Sequence, residues 1–280
     1  MPRAVSTWSL HRTLGNYVAP DSSVSGGATK DLPPTATEGI TLLDLPAALA
    51  AHGYDTLHLC HFHLASRDAA YLAAVRAALD EHGITLDTFL IDDGDLTAPD
   101  ADAHEAWYGE WLDVAEAIGA RRARIGAGRA APTPDLLAAS GERLARLAAA
   151  HPGVRVVTEN WLEMTPDAAS VLAVLDAAAA SGGGIGLLID LGNWTGPAKY
   201  DDLALLAPRA ETCHAKCHFA ADGPDADDFR RSLAVLKDAA FDGPLALIYD
   251  GPDDDEWANL DREWAILTEV FTDEAVAATA

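Results

Sequence analysis

The sequence predicts an α/β chain folded as a single (β/α)8 barrel over residues 1–280, on three observations. Short apolar runs rich in β-branched residues recur eight times, near 4–8, 55–61, 85–91, 121–126, 153–158, 185–190, 211–217 and 245–250. Segments with helical spacing follow them, at 44–52, 67–82, 102–118, 134–150, 166–181, 201–207, 227–239 and 257–271. No shift in composition divides the chain. Eight strand–helix pairs in this length are what a closed parallel barrel requires.

Taken in order, the first strand leads into a polar, Pro/Gly-rich stretch over 19–39, read as a long first βα loop near the barrel mouth. In the second helix Ala70, Leu72, Val75 and Leu79 form an apolar stripe, and Gly83 stops it. Leu136, Leu137, Leu144 and Leu147 repeat that pattern in the fourth. Gly53, Gly119 and Gly243 each fall between a helix and the next strand, where a left-handed residue ends a helix. A doubly wound open sheet is the rival architecture. It calls for a Gly-rich phosphate loop, and Gly126-Ala127-Gly128 is only a fragment of one. The end, 272–280, reads as a tail.

Composition narrows the function classes. The formal charge is −25, which repels phosphates and anionic membrane surfaces, so nucleic acid and membrane are not expected partners. No apolar run approaches the roughly 18 residues of a membrane span. The start has no apolar leader, and three cysteines (Cys60, Cys213, Cys217) fit reduced thiols, so a cytoplasmic protein is expected.

The seventh strand carries the most chemistry. Read with period 2, Glu211-Thr212-Cys213-His214-Ala215-Lys216-Cys217-His218-Phe219 puts His214, Lys216 and His218 on one face and Cys213, Ala215 and Cys217 on the other. That alternation argues against a zinc knuckle, which needs the cysteines beside the histidines and a second pair. Chemistry in a barrel gathers at the C-terminal strand ends. The fifth strand runs into Glu159, the sixth into Asp190 and the eighth into Asp250, flanking His214. Three carboxylates and an imidazole suit one divalent ion, Mn²⁺ or Mg²⁺ best, with Co²⁺ or Zn²⁺ compatible through the histidine.

The succession Thr158-Glu159-Asn160-Trp161, Asp190-Leu191-Gly192-Asn193, His214-Ala215-Lys216 and Tyr249-Asp250-Gly251 resembles the xylose isomerase-like TIM-barrel superfamily. Residues 86–95 and 122–126 are similar to its third and fourth strands, so the resemblance covers nearly the whole chain. That group holds sugar and sugar-phosphate isomerases and epimerases, inosose dehydratases and endonuclease IV nucleases. The resemblance implies that Glu159, Asp190, His214 and Asp250 hold one divalent ion. The family's epimerases commonly carry glutamate where this chain has Asp250, which is one methylene shorter and reaches less far.

The expected activity is isomerisation or epimerisation of a sugar or cyclitol, by proton abstraction next to a carbonyl and metal stabilisation of the enediolate. Glu159 is the candidate base, Asp250 returns a proton or serves only as a ligand, and Lys216 pairs the developing oxyanion. His61, His63, His218, Asn160 and Arg124 are candidate substrate-binding groups. Trp8, Trp161 and Trp194 offer indole faces to sugar C–H surfaces. Scarce cations near the mouth favour a non-phosphorylated substrate. A lyase acting on a keto-sugar or keto-inositol uses the same parts. An endonuclease IV-type phosphodiesterase needs more metal ligands and a basic path, and an inactive barrel serving as a subunit needs neither.

Overall fold

In a computed structural model, residues 1–15, 39–220 and 223–272 are described. Most of the expected first loop and of the tail thus lies outside the described residues. The strands are β1 (Ala4–Ser6), β2 (Thr56–Cys60), β3 (Thr85–Ile91), β4 (Arg122–Ile125), β5 (Arg155–Glu159), β6 (Gly186–Asp190) and β7 (Ala210–Lys216). Two short strands follow, β8 (Phe219–Ala220) and β9 (Gly223–Pro224), and then β10 (Leu245–Ile248). The helices are α1 (Leu45–Ala51), α2 (Ala69–Glu81), α3 (Ala101–Ala117), α4 (Pro134–Ala150), α5 (Ala168–Ala180), α6 (Lys199–Leu206), α7 (Ala226–Asp238) and α8 (Glu256–Thr272).

Eight strands close in the order β1-β10-β7-β6-β5-β4-β3-β2, every neighbouring pair parallel, which is the predicted (β/α)8 barrel. A parallel sheet buried on both faces reads as near-continuous apolar sequence, as Leu187-Leu188-Ile189 does in β6. One apolar layer joins the outer strand faces to the helices; Cys213, Ala215 and Cys217 belong to it, as the alternation of β7 requires. A small second cluster, Cys60, Phe62, Leu90, Val157 and Leu188 with Trp8 against it, fills the barrel interior under the mouth.

Three local features shape that mouth. Short 3₁₀ turns, Thr7–Leu10 after β1 and His61–His63 after β2, carry the chain over the barrel end. Asp190 ends β6 by accepting the Gly192 and Asn193 amides at 2.6 and 2.8 Å, folding the next turn back toward β5. The antiparallel pair of β8 and β9 is absent from the sequence reading; it interrupts β7 after Lys216.

Candidate metal centre and active site

Asp190 and His214 are register partners on β6 and β7, so their side chains emerge side by side. Glu159 closes β5 next to them. One ligand atom from each of the three lies within 4.8 Å of the others, and all three residues are buried. His214 Nδ1 is 3.3 Å from Glu159 Oε1 and 3.5 Å from Asp190 Oδ2. Burial pushes the His214 imidazole toward neutrality, but the two carboxylates outweigh it and raise its affinity for a proton. Burial likewise opposes ionisation of Asp190, and hydrogen bonding to His214 with the charge of Lys216 overcomes it, holding that carboxyl low. Two carboxylates converging on one imidazole thus bind a cationic proton in the absence of another cation.

The donor set fits a divalent ion. Two carboxylates and an imidazole supply hard oxygen and borderline nitrogen, and His214 Nε2 is buried without a hydrogen bond. Surrounding groups hold the ligands in place. Asn193 Nδ2 donates to Glu159 Oε1 at 3.0 Å, and Arg124 Nε ion-pairs Glu159 Oε2 at 2.9 Å. Asn160 donates to the Asp190 carbonyl at 2.9 Å and accepts its amide at 2.7 Å. On the N-terminal side of His214, His58 packs its ring 5.2 Å away and pairs with Asp87 at 3.2 Å, while Thr212 donates to Asp87 at 3.1 Å. Such outer partners fix ligand orientation.

The triad opens into a pocket lined by Trp8, Asp92, Arg124, Trp161, Asn193, Lys216 and apolar neighbours. Asp250 stands apart from the three-residue group: its Oδ2 pairs with Lys216 Nζ at 2.7 Å, and its side chain is 34% exposed. Asp250 lies on the loop after β10, which ends at Ile248, and is not one of the three residues whose ligand atoms lie together.

The other expected site residues divide. Trp8, Trp161 and Arg124 line the cavity, with the Arg124 guanidinium 4.6 Å from the Trp161 ring. Arg124 is already committed to Asp92, Glu159 and the Ile91 carbonyl, so it braces Glu159. Asn160 is buried and spends its amide on the Asp190 backbone. Trp194 packs in the outer core and donates to the Thr165 carbonyl at 3.0 Å. His61 lies under the mouth between Asp92 and Asp93 and against Trp107 and Trp111. His63 is buried against Thr7 and His11. His218 lies beyond the end of β7 and is not among the cavity-lining residues.

Asp92 and Asn193 are the cavity residues absent from the sequence reading. Burial raises the Asp92 carboxyl, but Arg124 and His61 overcome this and hold it at about 2. The strand-end criterion that selects Glu159 selects Asp92 as well once it is extended to β3. Asn193 sits in the motif Asp190-Leu191-Gly192-Asn193, but its return to Glu159 depends on a turn that spacing does not specify.

With fold and site in view, the class is a (β/α)8 barrel with a buried Glu–Asp–His group, able to hold a metal ion, on the adjacent strands β5, β6 and β7. Residues 46–267 match the xylose isomerase-like TIM barrel family, and the chain belongs to it. A putative xylose isomerase from Rhodospirillum rubrum superposes with a TM-score of 0.71 at 14% identity, over 96% of this chain and 99% of that one. D-allulose 3-epimerase from Methylomonas sp. gives 0.67 at 14%, over 96% and 98%. A probable 3-DHS dehydratase from Bacillus anthracis gives 0.63 at 13%, over 93% and 98%. No curated protein matches the chain in sequence. At these identities the solved structures share its fold, and that fold carries both epimerase and dehydratase among them.

Proposed function

We propose that the protein is a divalent-metal-dependent isomerase or epimerase of a neutral sugar or cyclitol, acting by proton abstraction next to a carbonyl. The observation that carries this reading is the convergence of Glu159, Asp190 and His214 at the floor of a cavity walled by indole rings. A bound Mn²⁺ or Mg²⁺ supplies Lewis acidity to neighbouring substrate oxygens. Glu159 is the base: its carboxylate is oriented by Arg124 and Asn193 and lines the cavity. Lys216, steadied by Asp250, offers an ammonium to the oxygen on which charge develops. Trp8 and Trp161 pack against C–H faces.

The charge balance supports a neutral substrate. Asp92, Glu159, Asp190 and Asp250 oppose Arg124 and Lys216, and a divalent ion brings the described groups to neutrality. Both cations are already paired, so a phosphate finds no free partner among the described lining residues. The same pairing speaks against an endonuclease path, as does the position of His61 and His63 outside the cavity lining. Lys216 beside a short aspartate also suits a lyase, in which Glu159 removes the proton and Lys216 protonates the leaving oxygen. The reduced thiols of Cys60, Cys213 and Cys217 support a cytoplasmic location.

Proton exchange tests the reading. A panel of ketoses and keto-inositols is incubated with the Mn²⁺-loaded protein in D₂O and followed by NMR. Deuterium entering next to a carbonyl is expected; loss of water identifies the lyase; no exchange on any member overturns the enzyme reading.

A further inference from the structure

We propose that Asp250 is a positioning residue for the metal centre: it holds the Lys216 ammonium away from Glu159 and Asp190, so that these carboxylates stay open to a divalent ion. This role rests on the metal reading of Glu159, Asp190 and His214. Lys216 stands two residues beyond His214 on β7, on the same face, and lines the same pocket. Its stem lies over the turn that follows β6. A Cβ on Gly192 would stand 2.7 Å from Lys216 Cγ and 2.9 Å from its Cδ, so a bare glycine gives the stem its room there. The amide of that same Gly192 donates to Asp190 Oδ1 at 2.6 Å. The aliphatic chain thus runs beside a carboxylate of the triad, while Nζ turns to Asp250 Oδ2 at 2.7 Å.

An ammonium in that place has a competing choice. Burial works against the Lys216 charge, and Asp190, Asp250 and Glu159 outweigh it, tightening its hold on the proton. Three carboxylates thus share one ammonium. Glu159 and Asp190 are 2 and 3% exposed, and buried carboxylates need a counter-charge. Lysine is a compact charge on a flexible four-carbon stem, so rotation about its outer bonds is enough to supply one. A lysine so placed offsets the charge that the ion would offset, and a metal then binds only by displacing it. Asp250 removes that rival. It follows β10, which flanks β7 on the side away from β6, so pairing with it draws Nζ off the triad. Its side chain is 34% exposed, which leaves the ammonium a wetter partner than Glu159 or Asp190. Glu263, also within electrostatic reach of Lys216 and Asp250, is held protonated by its burial and offers no charge.

The experiment measures Mn²⁺ affinity by calorimetry on four proteins: the parent, Asp250→Asn, Lys216→Met and the double variant. Asp250→Asn is expected to weaken Mn²⁺ binding about 10- to 100-fold, the range for groups that set a metal site without touching the ion. With Lys216→Met already in place, Asp250→Asn is expected to cost less than about fivefold, the most that a partly exposed charge contributes. An equal cost in both backgrounds makes Asp250 a ligand and overturns the proposal, as does an Asp250→Asn protein that binds Mn²⁺ like the parent. A crystal structure of metal-free Asp250→Asn protein adds a readout that needs no ion. Lys216 Nζ is expected within hydrogen-bonding distance of Asp190 or Glu159; an ammonium left facing solvent overturns the proposal. Each of these failures leaves the metal reading intact, whereas a parent protein that takes up no Mn²⁺ overturns that reading and the proposal together.

Discussion

Glu159 takes three partners on one carboxylate: Arg124 by an ion pair, Asn193 through its amide, and the His214 imidazole at 3.3 Å. Two of these leave it oriented when His214 turns to a metal. Glu159→Gln keeps the shape and removes the base, so kcat is expected to fall about 10²- to 10⁴-fold, measured by proton exchange under metal saturation. Asn193→Ala removes only the orienting amide, and a smaller loss of kcat with the metal still bound is the expected contrast. Glu159 itself was legible because it closes an apolar strand run, as Asp190 does, and His214 because period 2 sets it opposite the apolar face of β7. Its supporters were legible only in part. Arg124 lies on β4 where spacing puts it, but its choice of Asp92 and Glu159 over substrate follows from a buried charge seeking partners in three dimensions. Asp250 follows an apolar run as Glu159 and Asp190 do, but it lies on the loop after β10 and pairs with Lys216.

At the scale of elements, the period-2 reading of β7 puts Cys213, Ala215 and Cys217 in the outer core, where they lie. The strand ends at Lys216 and the chain turns into β8. Nothing in the local sequence marks that turn, because the alternation continues through it. Two further features of the elements are testable. Gly141 lies on α4 where a Cβ would stand 2.5 Å from the Val174 carbonyl oxygen and 2.7 Å from the Ala177 Cβ on α5. Alanine favours a helix over glycine by about 1 kcal/mol, but overpacking against rigid backbone costs about 1–3 kcal/mol. Gly141→Ala is therefore expected to lower stability in urea unfolding despite its better propensity. Glu263 on α8 is fully buried, and both its oxygens lack a hydrogen bond. Burial first, then Asp250, raises its carboxyl well above the ordinary range against the pull of Lys216. The sign follows. A carboxyl held protonated in the fold stabilises fully below its unfolded value of about 4.3, and that contribution is lost as pH climbs toward the folded value. Glu263→Gln does not titrate. Relative to it, the parent protein is expected to lose stability as pH rises above about 5, by up to about 1.4 kcal/mol per pH unit, read as a widening gap in Tm.

For the molecule as a whole, the barrel was legible because eight apolar runs alternate with helical stripes and glycine stops, a pattern set by burial on both sheet faces. The net charge of −25 is a property of the same scale, and it complicates the simplest test of the metal centre. An acidic surface gathers divalent ions loosely everywhere, whereas the buried triad offers one defined place. Salt separates the two. At 0.15 M ionic strength the screening length is about 8 Å, which weakens diffuse attraction and leaves a buried site largely untouched. Under those conditions Mn²⁺ at a hundred times its Kd stabilises the fold by about 2.7 kcal/mol. For a chain of this size that raises Tm by roughly 5–10 °C. EDTA is expected to reverse the shift, and Asp190→Asn to abolish it while leaving any loosely bound ions in place. Titration is expected to end at one ion per chain. Three tightly held ions would return the phosphodiesterase alternative, and a shift that survives Asp190→Asn would place the ion away from β5, β6 and β7.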